Sequence, residues 1–142
     1  MPEDKIFLDT NIIIYAYDRS AGKKHSRARD ILLDLWDSGL GVISTQVLQE
    51  FFVNVTQKIP NPLDKGTARD IVSGLLKWDI VVNDGETILE GIDIHLRYNY
   101  SFWDSLIIGA ALRSEASILF SEDLADGRVI QGVRITNPFI SP

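Results

Sequence analysis

Short apolar runs separated by longer stretches of helical period constrain this chain more than any other feature. The runs Lys5–Asp9 (KIFLD), Gly41–Thr45 (GVIST), Asp79–Asn83 (DIVVN), Ser117–Ser121 (SILFS) and Val133–Thr136 (VRIT) each suit a buried strand. Between them, apolar residues recur at helical spacing, as in Ala28, Ile31, Leu32, Leu35 and Trp36, or in Val47, Leu48, Phe51, Phe52 and Val55. Gly39 and Gly41 end the first of these helices, and the Ile59–Pro62 segment (IPNP) breaks the second, which spans Thr45–Lys58. Further helices are predicted over Asn11–Tyr17, from about Lys65 to Trp78, from about Glu86 to Arg97, and from Trp103 to about Ser114. Strand and helix in alternation predict an α/β fold with a mainly parallel sheet. No linker separates domains, and 142 residues suit one core, so residues 1–142 are expected to form a single domain.

Composition removes several function classes. The chain is 45% hydrophobic and 24% charged, which fits a folded globular protein. It has no Cys, so disulfides, thiolate metal sites and Cys nucleophiles are excluded, and any metal must be held by oxygen or imidazole. No apolar run approaches the roughly 20 residues of a membrane span, and a cytoplasmic protein is expected. A net charge of −6 argues against indiscriminate adhesion to nucleic acid over the whole surface.

Acidic residues then stand out by position. Asp9 interrupts an apolar stretch at the carboxyl end of the first strand, where open α/β sheets bind their ligands. Asp123 holds the same relative place after a later strand. Each also has a plain local reading, Asp9 as a helix cap and Asp123 as a turn residue. Asp104 is followed at one and two turns by Ile107, Ile108 and Ala111, which places a carboxylate on an inward helix face. Ser101 three residues earlier offers a capping box, and that role is compatible with metal binding as well. Glu50 lies at the edge of an apolar helix face, beside Val47 and Asn54. Four carboxylates facing one crevice repel each other and resist ionisation unless a cation joins them. A hard divalent ion such as Mg²⁺ or Mn²⁺ resolves that conflict and brings waters that can be activated.

The ordered pieces FLDTNIIIYAYD, STQVLQEFF, YSFWDSLIIGAAL, LFSEDL and GVRITNPF resemble the PIN-domain ribonucleases, and within them the VapC-like toxins of prokaryotic toxin–antitoxin pairs. The resemblance spans nearly the whole chain. It implies a three-layer α/β/α sandwich and a carboxylate site for Mg²⁺ or Mn²⁺ built from Asp9, Glu50, Asp104 and Asp123. Asn11 and Ser121 match residues that orient the acids, and Asp126 matches an outer acid or a turn residue. The implied reaction is hydrolysis of an RNA phosphodiester to a 5′-phosphate and a 3′-hydroxyl. The implied partners are a second copy of the chain and an antitoxin whose helix or tail covers the acidic groove. A PIN fold that binds RNA or a partner without cleaving is the alternative. A phosphotransferase with Asp9 as nucleophile is disfavoured, because the haloacid-dehalogenase-like pattern wants Asp where Asn11 stands.

Five of the fourteen Lys and Arg residues, Arg19, Lys23, Lys24, Arg27 and Arg29, fall within RSAGKKHSRAR, which holds no acid. Such a segment either guides an RNA backbone or is a solvated helix face. Tyr15, Tyr17, Phe102 and Trp103 offer base stacking or core packing.

Overall fold

The sheet runs β3-β2-β1-β4-β6-β5 in a computed structural model that describes residues 4–140. The strands are β1 Ile6–Leu8, β2 Gly41–Ser44, β3 Asp79–Val81, β4 Ile118–Phe120, β5 Val129–Ile130 and β6 Val133–Thr136. The helices are α1 Thr10–Tyr17, α2 Lys23–Ser38, α3 Thr45–Gln57, α4 Lys65–Leu75, α5 Gly85–Tyr98 and α6 Phe102–Arg113, and a 3₁₀ turn covers Arg19–Ala21. All pairings are parallel except that of β5 with β6.

This order explains the layers. The connections from β1 to β2 and from β2 to β3 step in one direction along the sheet, whereas the connection from β3 to β4 steps back past two strands. Right-handed crossovers therefore put α1 to α4 on one face and α5 and α6 on the other, giving the α/β/α sandwich. The direction reverses between β1 and β4, which pair in register from Ile6 with Ile118 to Leu8 with Phe120. A crevice beyond the carboxyl ends of these two strands is the place where such sheets bind ligands.

Polar residues close the helices at this end. Asp9 caps α1, Ser44 caps α3 through the Val47 N–H, and Ser101 caps α6 through the Asp104 N–H. The core between the layers includes Phe7, Leu8, Ile12, Ile13, Val42, Ile43, Phe51, Ile108 and Leu119, all almost wholly buried. Helices α5 and α6 approach closely at Gly91, where a Cβ would lie 2.7 Å from Leu106 Cδ2. That close approach fixes α6, and with it the acid in its first turn.

One strand is absent from the sequence reading. Val129–Ile130 forms a two-residue edge strand joined to β6 by Gln131 and Gly132, whose φ angles are 48° and 93°. Two positive φ values in a two-residue loop are the geometry of a tight hairpin. Two residues show no alternation, and Gln is not the Asn or Asp that marks such turns. The strands are also shorter than their apolar runs: β1 ends at Leu8 and β4 at Phe120, and the Asp9 and Ser121 N–H groups make the last hydrogen bonds across the sheet, to the Phe120 and Thr136 carbonyls.

Candidate functional site

Asp9 and Ser121, the residues immediately beyond β1 and β4, meet at the reversal point. Ser121 Oγ donates to Asp9 Oδ2 at 2.8 Å, and the Thr10 N–H donates to Oδ1 at 2.7 Å. Ser121 is wholly buried and its Oγ also accepts from the Leu124 N–H at 3.3 Å, so its rotamer is held from both sides. Burial pushes the Asp9 carboxyl up from 3.8 to about 6, against these two hydrogen bonds, and the charges of Glu50 and Asp104 push in the same direction as burial.

The other acids arrive from separate elements. Glu50, on α3, accepts at Oε1 from Thr10 Oγ1 at 2.7 Å. Asp123, exposed in the loop after β4, accepts at Oδ2 from Asn11 Nδ2 at 2.6 Å. Asp104 sits in the first turn of α6, where its N–H donates to Ser101 Oγ at 3.1 Å. No return bond runs from the Ser101 N–H to the Asp104 carboxylate, so half of the capping box is built and the acid has no hydrogen-bond partner among the described residues. All four carboxylates line one crevice of about 130 Å³, together with Thr10, Asn11, Gln46, Asn54, Trp103 and Ile107.

The sequence reading did not single out Thr10 or Gln46 as site residues. Gln46 is buried, donates Nε2 to the Trp103 carbonyl at 3.3 Å, and ties α3 to the start of α6. Its Oε1 has no partner among the described residues. The Asp-Thr-Asn triplet carried a signal for Thr10, since a polar residue between two orienting ones is expected to share their task; Gln46 left none.

Asp126 lies outside the crevice lining. Its carboxylate accepts from the Asn137 N–H at 2.7 Å and so fastens the segment after β6. The basic segment lies apart from the crevice lining as well. Lys24 pairs with Glu122 at 2.5 Å, and Glu122 also accepts from the Tyr15 hydroxyl at 2.6 Å. Arg27 Nε donates to the Pro138 carbonyl at 3.2 Å. Lys23, Lys24 and Arg27 border a separate groove with Phe139 and Ile140, while Arg19 and Arg29 are exposed. His25 and His95 turn Nδ1 to the carbonyls of Tyr15 and Tyr100, which occupies them structurally.

Among the described residues, no three acidic or imidazole groups converge tightly enough to grip a metal ion as they stand. The donor set nevertheless fits a hard divalent cation. It consists of oxygen alone, it concentrates negative charge on a carboxyl already driven towards neutrality, and ions of the Mg²⁺ type keep waters that span to distant ligands. No described helix is long and apolar enough to cross a membrane.

A family model described as the PIN domain matches residues 6–125. The chain belongs to the PIN domain family. Among solved structures, a toxin–antitoxin complex from Klebsiella pneumoniae is similar with 18% identity and a TM-score of 0.68, over 95% of this chain and 98% of that one. A DNA-bound VapBC from Salmonella typhimurium matches at 20% identity and TM-score 0.63, over 96% and 99% of the two chains. A VapC toxin of Mycobacterium tuberculosis that cleaves the sarcin–ricin loop matches at 16% identity and TM-score 0.63, over 84% and 90%. These likenesses are likenesses of fold. A search of the curated proteins finds no match.

Proposed function

We propose that this protein is a divalent-metal-dependent endoribonuclease of the cytoplasm and the toxin of a toxin–antitoxin pair. The observation that carries the reading is the convergence of Asp9, Glu50, Asp104 and Asp123, from four segments, on one crevice at the reversal point of the sheet. These four residues would hold Mg²⁺ or Mn²⁺, and the ion would supply an acidified water and compensation for charge gathering on the phosphate.

The rest is the work of the chain. Ser121 and the Thr10 N–H fix both oxygens of Asp9, Thr10 Oγ1 sets the rotamer of Glu50, and Asn11 draws Asp123 towards the crevice. Ionised carboxylates accept hydrogen bonds from water and so orient it for attack. Cleavage leaves a 5′-phosphate and a 3′-hydroxyl, with no covalent intermediate. Structural likeness to chains from toxin–antitoxin complexes supports a partner antitoxin, and the family resemblance supports a homodimer.

A second reading, a PIN fold that binds RNA without cleaving it, is favoured by the lack of a ready-made three-ligand cluster among the described residues. One assay separates the two. Purified protein is expected to cleave intact cellular RNA with Mg²⁺ or Mn²⁺, to stop in excess chelator, and to be silent as Asp9→Asn. RNA binding without metal-dependent cleavage would establish the second reading instead.

A further inference from the structure

Three cationic side chains with a ring beneath them differ in one respect. Lys24 lies over Tyr15 but is neutralised by Glu122. Arg97 and Arg128 form no ion pair among the described residues. The Arg97 guanidinium lies 5.3 Å from the centre of the Tyr98 ring. Arg128 lies 5.6 Å from the same ring and 5.2 Å from Tyr100, and donates Nη1 to the Tyr100 hydroxyl at 3.1 Å. Two guanidinium groups gathered on one ring repel each other. Cation–π contacts at exposed sites contribute only about 0.5–1 kcal/mol each, so both guanidinium groups keep their charge available to an anion.

The chain joins this cluster to the acid crevice, although Arg97 and Tyr98 themselves line a separate groove along α5 and α6 with Glu90, Asp93 and Gln131. Tyr100 directly precedes Ser101, the cap of α6, and the first turn of α6 carries Trp103 and Asp104. Trp103 lines the crevice and is 63% exposed, although its backbone is pinned by Gln46 and Phe102 packs edge-on against its ring at 5.1 Å. The crevice holds about 130 Å³, well below the roughly 300–1,000 Å³ of pockets that enclose an organic ligand. A phosphate group reaches in, and a nucleobase stays at the rim, where the indole is.

We infer that Trp103, Tyr98 and Tyr100, with Arg97 and Arg128, form a track for single-stranded RNA that leaves the acid crevice over the start of α6. Trp103 stacks on a base beside the scissile phosphate, and the two arginines hold phosphates further along. Stacking of this kind needs unpaired bases, whereas phosphate contacts carry no sequence information. The track rests on the RNA reading of the crevice but not on catalysis there.

The test is binding of a labelled, unstructured oligoribonucleotide by Asp9→Asn protein, with cleavage by the wild-type chain measured in parallel. In the Asp9→Asn background, Trp103→Ala is expected to weaken binding roughly 5- to 100-fold and Trp103→Tyr to retain most of it. Trp103→Leu, which keeps apolar bulk without a ring face, falls with the Ala variant. Arg97→Gln and Arg128→Gln each lower the slope of log affinity against log salt by about 0.7, while Lys65→Gln on α4 leaves it unchanged. RNA quenches the fluorescence of Trp103, and the quench disappears in Trp103→Tyr, because Trp36 and Trp78 pack together, 5.6 Å apart, at the opposite end of the strands. Affinity within twofold of the parent in Trp103→Ala, or an unchanged salt slope in both arginine variants, overturns the track. So does a change of assembly mass with RNA affinity intact, which would make this face a protein interface. RNA binding that depends on the track in a wild-type chain that does not cleave would keep this inference and remove the nuclease reading.

Discussion

Asp9 and Asp123 follow two neighbouring strands of one sheet, yet they meet very different surroundings. Asp9 is tucked against the sheet with a hydrogen bond to each oxygen, and burial drives its carboxyl up to about 6. Among the described residues, exposed Asp123 is held by Asn11 alone, and Asp104 across the crevice has an unengaged carboxylate. The floor of the crevice is thus organised before any ligand arrives and carries an electrostatic cost, while the rim is free to move onto a ligand. Organising a charge in advance lets a site act without reorganising during reaction.

The largest expected effect lies at the floor. Asp9→Asn should abolish cleavage, by a factor on the order of 10² or more, while stabilising the metal-free fold. An acid raised from 3.8 to about 6 costs the native state up to about 3 kcal/mol at neutral pH. The sign follows from linkage: the folded state prefers the protonated acid, so this contribution to stability is present below pH 3.8 and is lost as pH rises through 6. Denaturant melts of both proteins from pH 4 to pH 8 should show the mutant gaining on wild type up to about pH 6 to 7 and level beyond. Parallel curves across that range would break the contrast between floor and rim.

Asp104→Asn probes the rim and comes next. Activity should collapse, stability without metal should hold or rise, and the gain in melting temperature from Mn²⁺ should shrink, since a ligand stabilises the state that binds it. Ser101→Ala, which removes the cap but keeps the acid, should instead cost about 1 kcal/mol with or without metal. A fully active, less stable Asp104→Asn with an unchanged metal response would reduce Asp104 to a helix-end residue.

Smaller effects separate the two tethers. Thr10→Val leaves Glu50 without its donor and should cost about 1 kcal/mol and a several-fold loss of cleavage, because the hydroxyl is buried. Asn11→Ala releases an exposed acid, so its stability cost should stay within about 0.5 kcal/mol, with the loss appearing as a higher Mg²⁺ requirement. The reverse ranking, read from melts and metal titrations, would place the organised half of the site at the rim. Replacing Lys23, Lys24 and Arg27 with Gln should have the smallest effect, a modest weakening of RNA binding and of its salt dependence with metal binding intact. Lys24 and Arg27 are already engaged, with Glu122 and with the Pro138 carbonyl.

Much of this was legible beforehand for a physical reason. Strand and helix period depend on nearest neighbours along the chain, so the alternation of elements, the parallel sheet and the place of Asp9 after β1 follow from the residues alone. Asp9 and Asp104 were visible because each interrupts an apolar pattern, as Asp104 does ahead of Ile107, Ile108 and Ala111, whereas Glu50 and Asp123 stood out only as members of the set. Other features had no local mark. Val129–Ile130 pairs only because β6 lies beside it, and Gln46 matters only because α6 lies across from α3.

The sequence by itself determined the fold class, the family and the residue types able to hold a hard metal ion, since these reside in periodicity and in motif order. Tertiary structure alone decided which donors serve which acids, that among the described residues Lys24 is paired while Arg97 and Arg128 are not, and that Trp103 stands in solvent beside the crevice. Hydrogen bonds and burial are properties of pairs distant in the chain, Asp9 with Ser121 or Asn11 with Asp123, and distance in space is what folding supplies.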